Sequence, residues 1–306
     1  MERTTSVSWA FTEEKIRRRV NEVREAAIRD RLPLAPIRYK IADLSPSVAA
    51  SPDLDDSGWL TLPADNAWGT QPEITAWLRA KVTLPERWQG ERVQIRVRPR
   101  DCEVLAYVDG KPNQAFDGAH HDLLLTPKAQ PGLSYSLALK AYSGLPSTGE
   151  TNPYFGLPPA KDHHLAEAEV RWIDEATYQL GFDLAFAFES ALTLDKNSRE
   201  YSTILNAVDQ ATNLLDFRQG SHSEEFYESA AKAQSFLKKE LYGKYHASEF
   251  APTLWANGHA HIDTAWLWRL AHTREKCGRT FSTVLEMMRQ YPATNSPARS
   301  PSSINT

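Results

Sequence analysis

Cysteine is scarce in this sequence of 306 residues: it has two, Cys102 and Cys277, far apart and outside any CxxC pair. Two such residues cannot build a disulfide framework or a thiolate metal site of the usual ligand number. Positive charge is not in excess either, because the net charge is −4, which gives no electrostatic basis for binding nucleic acid. No stretch is apolar enough for a signal peptide or a membrane span. These absences predict a globular, cytoplasmic protein without nucleic-acid or membrane partners.

The first recognisable element is an amphipathic stretch at 12–30. Thr12 is predicted to cap a helix there, and Pro33 and Pro36 are predicted to end it. The apolar residues that repeat on one face are Ile16, Val20, Val23 and Ala27. This helix belongs to a predicted N-terminal helical segment, residues 1–44.

Residues 45–143 have a different pattern, in which short apolar stretches alternate with turn signals. The stretches are WLTLP, AWLRAKVTLP, RVQIRVRP, EVLAYVDGKP, HDLLLTP and SYSLALKAY. Asp109-Gly110 is a hairpin turn signal within the fourth of them. Several short strands at this spacing predict an antiparallel β-sandwich. The pattern resembles the jelly-roll domains that precede the catalytic domains of many glycoside hydrolases.

A linker and a second helical segment are predicted next. Residues 144–162 are rich in Pro, Gly, Ser and Thr, which is typical of a linker, and residues 163–250 show helical spacing. The first of three helices is predicted from Leu165, Ala168, Trp172, Ile173, Ala176 and Leu180. Ser221 and Glu224 form a capping-box pattern at the start of the third.

Polar side chains follow a short apolar stretch near the end of the sequence. Residues 251–258 are predicted to form a buried strand, and His259, His261 and Asp263 come directly after it. Alternate positions of a strand share a side, so His261 and Asp263 can converge, and an imidazole and a carboxylate suit a divalent ion such as zinc. An isolated HxD pattern is seldom a metal site, and Trp266 taken alone would indicate core packing.

A longer string supplies the specificity that these residues lack. GHAHIDTAWLWRLAHTREKCGRTFSTVLEMMRQYP resembles the first strand and helix of the catalytic domain of glycoside hydrolase family 38, the α-mannosidases. The family motif is G/P-H-x-H-x-D-x-x-W, followed by a helix with an RTFSTVL-like segment. It is matched by Gly258, His259, His261, Asp263 and Trp266, with Arg279 to Leu285 following. The upstream sandwich and NPYFGLPPAKDHHLAEAEVRWIDEATYQLGFDL resemble the cytosolic or vacuolar type of these enzymes.

The resemblance implies a role for each motif residue. His261 and Asp263 would be zinc ligands, and Trp266 would line the subsite of the mannose to be cleaved. His259 would contact the ligands and not the metal itself. The implied activity is zinc-dependent, retaining release of terminal α-mannose from oligosaccharides. The implied fold is multidomain α+β, with residues 251–292 as the first βα unit of a truncated (β/α)7 barrel. A homo-oligomer is compatible with the family.

The sequence departs from the family after the motif. No Asp follows Asp263, and the later acids are Glu275 and Glu286, both in the predicted helix. Residues 293–306 are rich in Ser, Pro and Asn and are predicted to be a disordered tail unrelated to the family. Because a retaining glycosidase requires two carboxylates, the expectation is an N-terminal fragment with an incomplete zinc site, no catalytic nucleophile and no activity alone.

Two other functions stay open. The sandwich could be a non-catalytic carbohydrate-binding module that uses Trp59, Trp77 or Tyr107, although core packing is the favoured interpretation of these aromatics. Alternatively, the chain could be a structural segment that associates with another polypeptide carrying the rest of the barrel. The adjacent histidines at 120–121 and 163–164 are interpreted as solvated polar residues, because neighbours in a strand face opposite sides.

Overall fold

The computed structural model describes residues 6–144, 162–244, 260–265 and 268–292. Its α-helices are Ser6–Ala26 (α1), Pro46–Ala49 (α2), Glu175–Leu192 (α3), Arg199–Asn213 (α4), Glu224–Leu237 (α5) and Leu270–Gln290 (α6). Its strands are Ile28–Pro33 (β1), Arg38–Ile41 (β2), Leu60–Thr61 (β3), Ala67–Gly69 (β4), Thr75–Thr83 (β5), Arg92–Arg100 (β6), Glu103–Val108 (β7), Lys111–Phe116 (β8), Asp122–Thr126 (β9), Ser134–Tyr142 (β10) and His163–Ile173 (β11). The chain divides into two compact units, 1–31 with 171–253 and 32–170 with 254–306.

The first unit is a helical bundle. The apolar faces of α1, α3, α4 and α5 form its core, with Ile16, Val23, Leu180, Leu184, Leu205, Val208, Phe226 and Leu237 all fully buried. Asp174, Ser198 and Ser223 each cap a following helix by accepting a hydrogen bond from a backbone N–H three residues on. The cap of α5 is therefore Ser223, and the prediction of a capping box at Ser221 is wrong by two residues.

The boundaries of α1 differ from the prediction. The helix ends at Ala26, well before Pro33, and Thr12 lies inside it rather than at its cap. Residues 28–33 form β1, which lies beside β11. The backbone of this stretch finds its hydrogen-bond partners in β11, which lies far away in sequence. The spacing of apolar residues within the stretch cannot predict such pairing.

The second unit is a β-sandwich of two sheets, as predicted from the spacing of short strands. One sheet has the order β1-β11-β6-β9 with β4 beside β11, and the other has the order β3-β2-β5-β10-β7-β8. The six-stranded sheet is antiparallel throughout. The hairpin turn at Asp109-Gly110 is confirmed: both residues have positive φ, 48° and 79°, and Val108 pairs with Lys111.

Strand β11 replaces the start of the helix that was predicted from residue 163. Its residues include good helix formers, but the strand lies between β1 and β6. The carbonyl oxygen of Ala168 accepts the Leu34 N–H at 2.9 Å, and the Glu167 carboxylate accepts a hydrogen bond from Arg96 of β6. Tertiary pairing thus overrides local propensity here.

His163, at the start of β11, is buried rather than solvated. Its side chain is 2% exposed, and its two ring nitrogens each lie 2.8 Å from a backbone carbonyl oxygen, that of Asp101 and that of Gln71. Trp68 packs beside the ring. This histidine therefore ties two loops of the sandwich together, and it is not available as half of a metal pair.

The outer face of the six-stranded sheet is covered. Trp77 and Tyr107 pack there with Leu105, Ala138 and the α2 residues Ala49 and Ala50. Trp77 is fully buried and Tyr107 is 6% exposed, so both are core residues, as the favoured interpretation expected. The neighbouring part of this face, around Lys140 and Tyr142, carries α6.

None of the described helices is long and apolar enough to cross a membrane. Most of the predicted linker, the predicted strand 251–258 and the predicted tail 293–306 lie outside the described residues.

Candidate functional site

His261 and Asp263 meet at the polar tips of their side chains. Nε2 of His261 lies 2.9 Å from Oδ1 of Asp263. Both side chains are accessible, with exposed fractions of 72% and 41%. The structure thus brings together the two residues that alternation predicted could converge, although the backbone at 260–263 is not assigned to a strand. The other two motif residues, His259 and Trp266, lie outside the described residues.

The donor atoms of this pair fit a zinc ion in kind and in spacing. Imidazole nitrogen and carboxylate oxygen are ordinary zinc ligands, and tetrahedral bonds of about 2.0–2.2 Å would separate two donors by about 3.3–3.6 Å. A separation of 2.9 Å requires only a small opening of the pair to reach that value. No cluster of three or more metal-binding side chains occurs among the described residues. With a zinc ion bound, the pair would supply two of the three protein ligands that catalytic zinc usually takes.

The backbone next to this pair is held by Thr273, in the first turn of α6. Its Oγ1 accepts hydrogen bonds from the Ala265 N–H at 3.1 Å and from the Trp268 Nε1–H at 3.0 Å. The same hydroxyl donates to the carbonyl oxygen of Asp263 at 3.3 Å. Thr273 is 7% exposed, and Lys276 lies over the Trp268 ring from the next turn. The segment that carries Asp263 is therefore attached to the start of α6.

The start of α6 is itself fixed on the sandwich. Nδ1 of His272 accepts the Arg269 N–H at 3.1 Å, and the Arg269 guanidinium donates to the Glu73 carboxylate. The His272 ring packs beside Tyr142 of β10, with ring centroids 5.6 Å apart. Burial, and then the positive charge of Arg269, lower the pKa of His272. His272 therefore stays neutral at neutral pH, which its role as a hydrogen-bond acceptor requires.

Further along, α6 contacts the sheet with polar side chains. Lys140 donates to Glu275 at 2.6 Å, Arg279 pairs with Glu103, and Thr283 accepts the Ala115 N–H at 3.0 Å. Burial, and then the Glu275 charge, raise the pKa of Tyr107 to about 12. The polar side of the helix thus faces the sandwich. The side that carries the apolar residues Leu285 and Met288 faces solvent, and these side chains are 62% and 53% exposed.

The two acids that follow Asp263 are both engaged in structural contacts. Glu275 binds Lys140, whose side chain is 11% exposed, and Glu286 accepts hydrogen bonds from Arg289 and Gln290. Each carboxylate thus holds α6, one to the sheet and one to its own last turn. Neither contact brings a second carboxylate to the His261–Asp263 pair.

Sequence reasoning did not identify Thr273 or His272 as parts of this region. Both lie in the polar string AHTREK, and nothing in the spacing of that string shows that these two side chains are buried. His272 packs beside Tyr142 and lies near Glu73, and both of these residues are more than a hundred residues away in sequence.

Comparison with known proteins finds two family matches. Residues 49–171 match the jelly-roll domain of α-mannosidases of the Ams1-like type, and residues 251–297 match the N-terminal domain of glycosyl hydrolases family 38. Alpha-mannosidase 2C1 of Homo sapiens is 31% identical over 223 residues, which cover 71% of this chain and 20% of that protein. Alpha-mannosidase of Saccharomyces cerevisiae is 26% identical over 224 residues, 71% of this chain and 21% of that protein. The chain spans about a fifth of the length of these relatives.

Among solved structures, a β-glucuronidase of Bacteroides uniformis aligns with 47% of this chain and 18% of its own. The sequence identity is 16% and the TM-score is 0.38. A likeness of this size identifies neither the fold nor the function.

Proposed function

We propose that this chain serves zinc-dependent hydrolysis of terminal α-mannose from oligosaccharides, because residues 49–171 and 251–297 match the jelly-roll and family 38 N-terminal domains of α-mannosidases. The observation that carries the proposal is the His261–Asp263 pair, with donor atoms 2.9 Å apart inside the matched range 251–297. A family match over a segment supports a function only when the side chains that would perform the chemistry lie close together, as His261 and Asp263 do.

In this proposal His261 and Asp263 hold the zinc ion, His259 supports them, and Trp266 lines the mannose subsite. Bound zinc supplies positive charge that polarises sugar oxygen atoms. The protein side chains neutralise that charge in part and orient the ion, and a tryptophan ring offers a flat apolar surface for a pyranose face. Further ligands and the catalytic carboxylates are expected from other parts of the family domain.

We also propose that this chain alone does not turn over a mannoside. Retaining hydrolysis needs two carboxylates on either side of the scissile bond. Asp263 is assigned to the metal in this proposal, and Glu275 and Glu286 hold α6 through Lys140 and Arg289. A reducing, cytoplasmic setting is part of the same proposal, since Cys102 and Cys277 are unpaired and burial raises the pKa of the Cys102 thiol to about 12.

The ligand pair can be tested by zinc titration of the 306-residue chain, with the affinity measured by isothermal titration calorimetry, which does not depend on a signal from His261. His261→Ala and Asp263→Asn are each expected to weaken zinc binding at least tenfold, because each removes or neutralises one of two ligands.

A second surface His–Asp pair provides the matched control. Nδ1 of His120 lies 2.9 Å from Asp117, with exposed fractions of 71% and 44%, nearly the values of the candidate pair. His120→Ala should leave zinc affinity unchanged. Equal losses in His120→Ala and His261→Ala would show that zinc binds surface histidines at random, and the proposed site would be abandoned.

A further inference from the structure

We propose that Thr273 is a positioning residue for the zinc site: its one hydroxyl holds the backbone segment that joins the ligand pair to α6. The inference rests on the proposed function, in which His261 and Asp263 bind zinc. Thr273 contacts Asp263 at its backbone carbonyl oxygen, so its effect on the metal passes through the segment.

The hydrogen-bonding capacity of the hydroxyl is fully used. A threonine hydroxyl has one proton to donate and two lone pairs to accept with. Its proton goes to the Asp263 carbonyl oxygen at 3.3 Å. Its lone pairs receive the Ala265 N–H at 3.1 Å and the Trp268 Nε1–H at 3.0 Å. One oxygen atom thus binds the described residues on both sides of positions 266–267.

The segment needs such a restraint. Ala265 has φ of 53°, a left-handed conformation that is unfavourable for a residue with a Cβ. The bond to its N–H stabilises that conformation directly. Thr273 is 7% exposed, which limits the access of a water molecule that would replace the hydroxyl. Without it, Asp263 loses the contact that fixes its carbonyl oxygen, and the backbone that carries its carboxylate is held less firmly.

The base of this arrangement is fixed, because the first turns of α6 are attached to the sandwich at several positions. Arg269 and His272 contact Glu73 and Tyr142, and Lys140 binds Glu275. Because the helix is held in this way, the Thr273 hydroxyl has a fixed position and holds the segment that it binds in place. Mutation of a residue that supports a metal ligand by a hydrogen bond commonly weakens metal affinity about 10–100-fold. This range sets the size of the expected effect.

The test compares Thr273→Val, Thr273→Ser and Thr283→Val in the 306-residue chain. Valine keeps the shape of threonine and removes the hydroxyl, whereas serine keeps the hydroxyl. Thr283 is the matched control, since its hydroxyl lies on the same helix and binds the Ala115 N–H instead of the segment. Three quantities are measured: hydrogen exchange of the Ala265 amide, the indole N–H signal of Trp268 assigned with Trp268→Phe, and zinc affinity from the His261 ring signals.

Thr273→Val is expected to lose the Ala265 protection, to shift the Trp268 indole signal and to weaken zinc binding about tenfold. Thr273→Ser should restore all three, and Thr283→Val should change none of them, even if both valine variants lose similar stability toward urea. Unchanged zinc affinity in Thr273→Val would overturn the proposal. Absence of zinc binding by the unmodified chain would instead contradict the proposed function, while the amide and indole signals would still decide whether Thr273 holds the segment.

Discussion

Tyr201 lies fully buried in the helical unit, yet it carries a hydroxyl that needs a partner. That hydroxyl donates to Glu13 of α1 at 2.5 Å, and Lys196 donates to the same carboxylate oxygen at 2.7 Å. These two hydrogen bonds, that from Lys196 first, hold the pKa of Glu13 below its ordinary value of 4.5. The Glu13 carboxylate thus joins α1 to Tyr201 of α4 and to Lys196 in the loop before it. Protonation of this carboxylate is therefore expected to destabilise the bundle.

Glu13→Gln is expected to lower the free energy of unfolding at pH 7 by about 1 kcal/mol, because charged hydrogen bonds are replaced by weaker neutral ones. Since the pKa is lower in the folded chain than in the unfolded one, the stabilisation by Glu13 is present above pH 4.5. It is lost as pH falls through the folded pKa, so the two chains should converge below pH 4.5.

The measurement is urea unfolding of both chains from pH 3 to pH 7. Glu189→Gln, at an exposed position of α3, is the control and should match the unmodified chain at every pH. A difference between the Glu13→Gln and unmodified chains that stays constant down to pH 3 would contradict the assignment of the charge effect to Glu13.

At the scale of elements, the hairpin between β7 and β8 depends on Gly110. This residue has φ of 79°, and a Cβ there would lie 3.3 Å from Cδ of Pro52 and 3.5 Å from the Ala50 carbonyl oxygen. Both the backbone conformation and the space therefore favour glycine. Residues 50–52 follow α2, so the turn also lies against the segment that covers the outer sheet face.

Gly110→Ala is expected to reduce the free energy of unfolding of the sandwich by about 1–2 kcal/mol, from the left-handed conformation and the close contact together. Urea unfolding followed by tryptophan fluorescence measures this change. Gly118→Ala is the matched control, because Gly118 has ordinary φ and open space around its missing Cβ. Equal behaviour of the two variants would show that the turn tolerates a side chain.

Helix α6 illustrates how far an element can be predicted from sequence. The helix predicted after the family motif is confirmed at Leu270–Gln290. The side that is buried could not be predicted from the sequence. Arg279 is buried while Leu285 and Met288 are exposed, because the sheet offers Glu103 as a charged partner for Arg279 and Lys140 as one for Glu275.

At the scale of the whole molecule, each unit is built from two separate stretches of chain. Residues 1–31 join 171–253, and residues 32–170 join 254–306. The candidate site lies in the unit that also contains the sandwich, and α6 connects the two through Lys140, Glu103 and Glu73. Among the described residues, this unit brings no third metal-binding side chain to the His261–Asp263 pair.

The purified 306-residue chain is accordingly expected to release no aryl leaving group from an aryl α-mannoside, with or without added zinc, because the two acids described after Asp263 are engaged in structural contacts. The assay is absorbance of the released phenolate. An intact family 38 α-mannosidase assayed in parallel serves as the positive control. Zinc-dependent release that disappears in Asp263→Asn would refute the proposed inactivity and would strengthen the proposed site.

The sequence alone determined those features that depend on neighbours in the chain. Alternation at β6 and β10, the Asp109-Gly110 turn, the helical spacing of α6 and the His261–Asp263 motif all depend on short-range pattern. Tertiary structure decided the rest: that 163–173 is a strand, that His163 is buried, and that Thr273 lies behind the ligand pair. The physical reason is that strand pairing and burial of polar groups need partners that lie far away in sequence, such as β1 for β11 and Glu73 for Arg269.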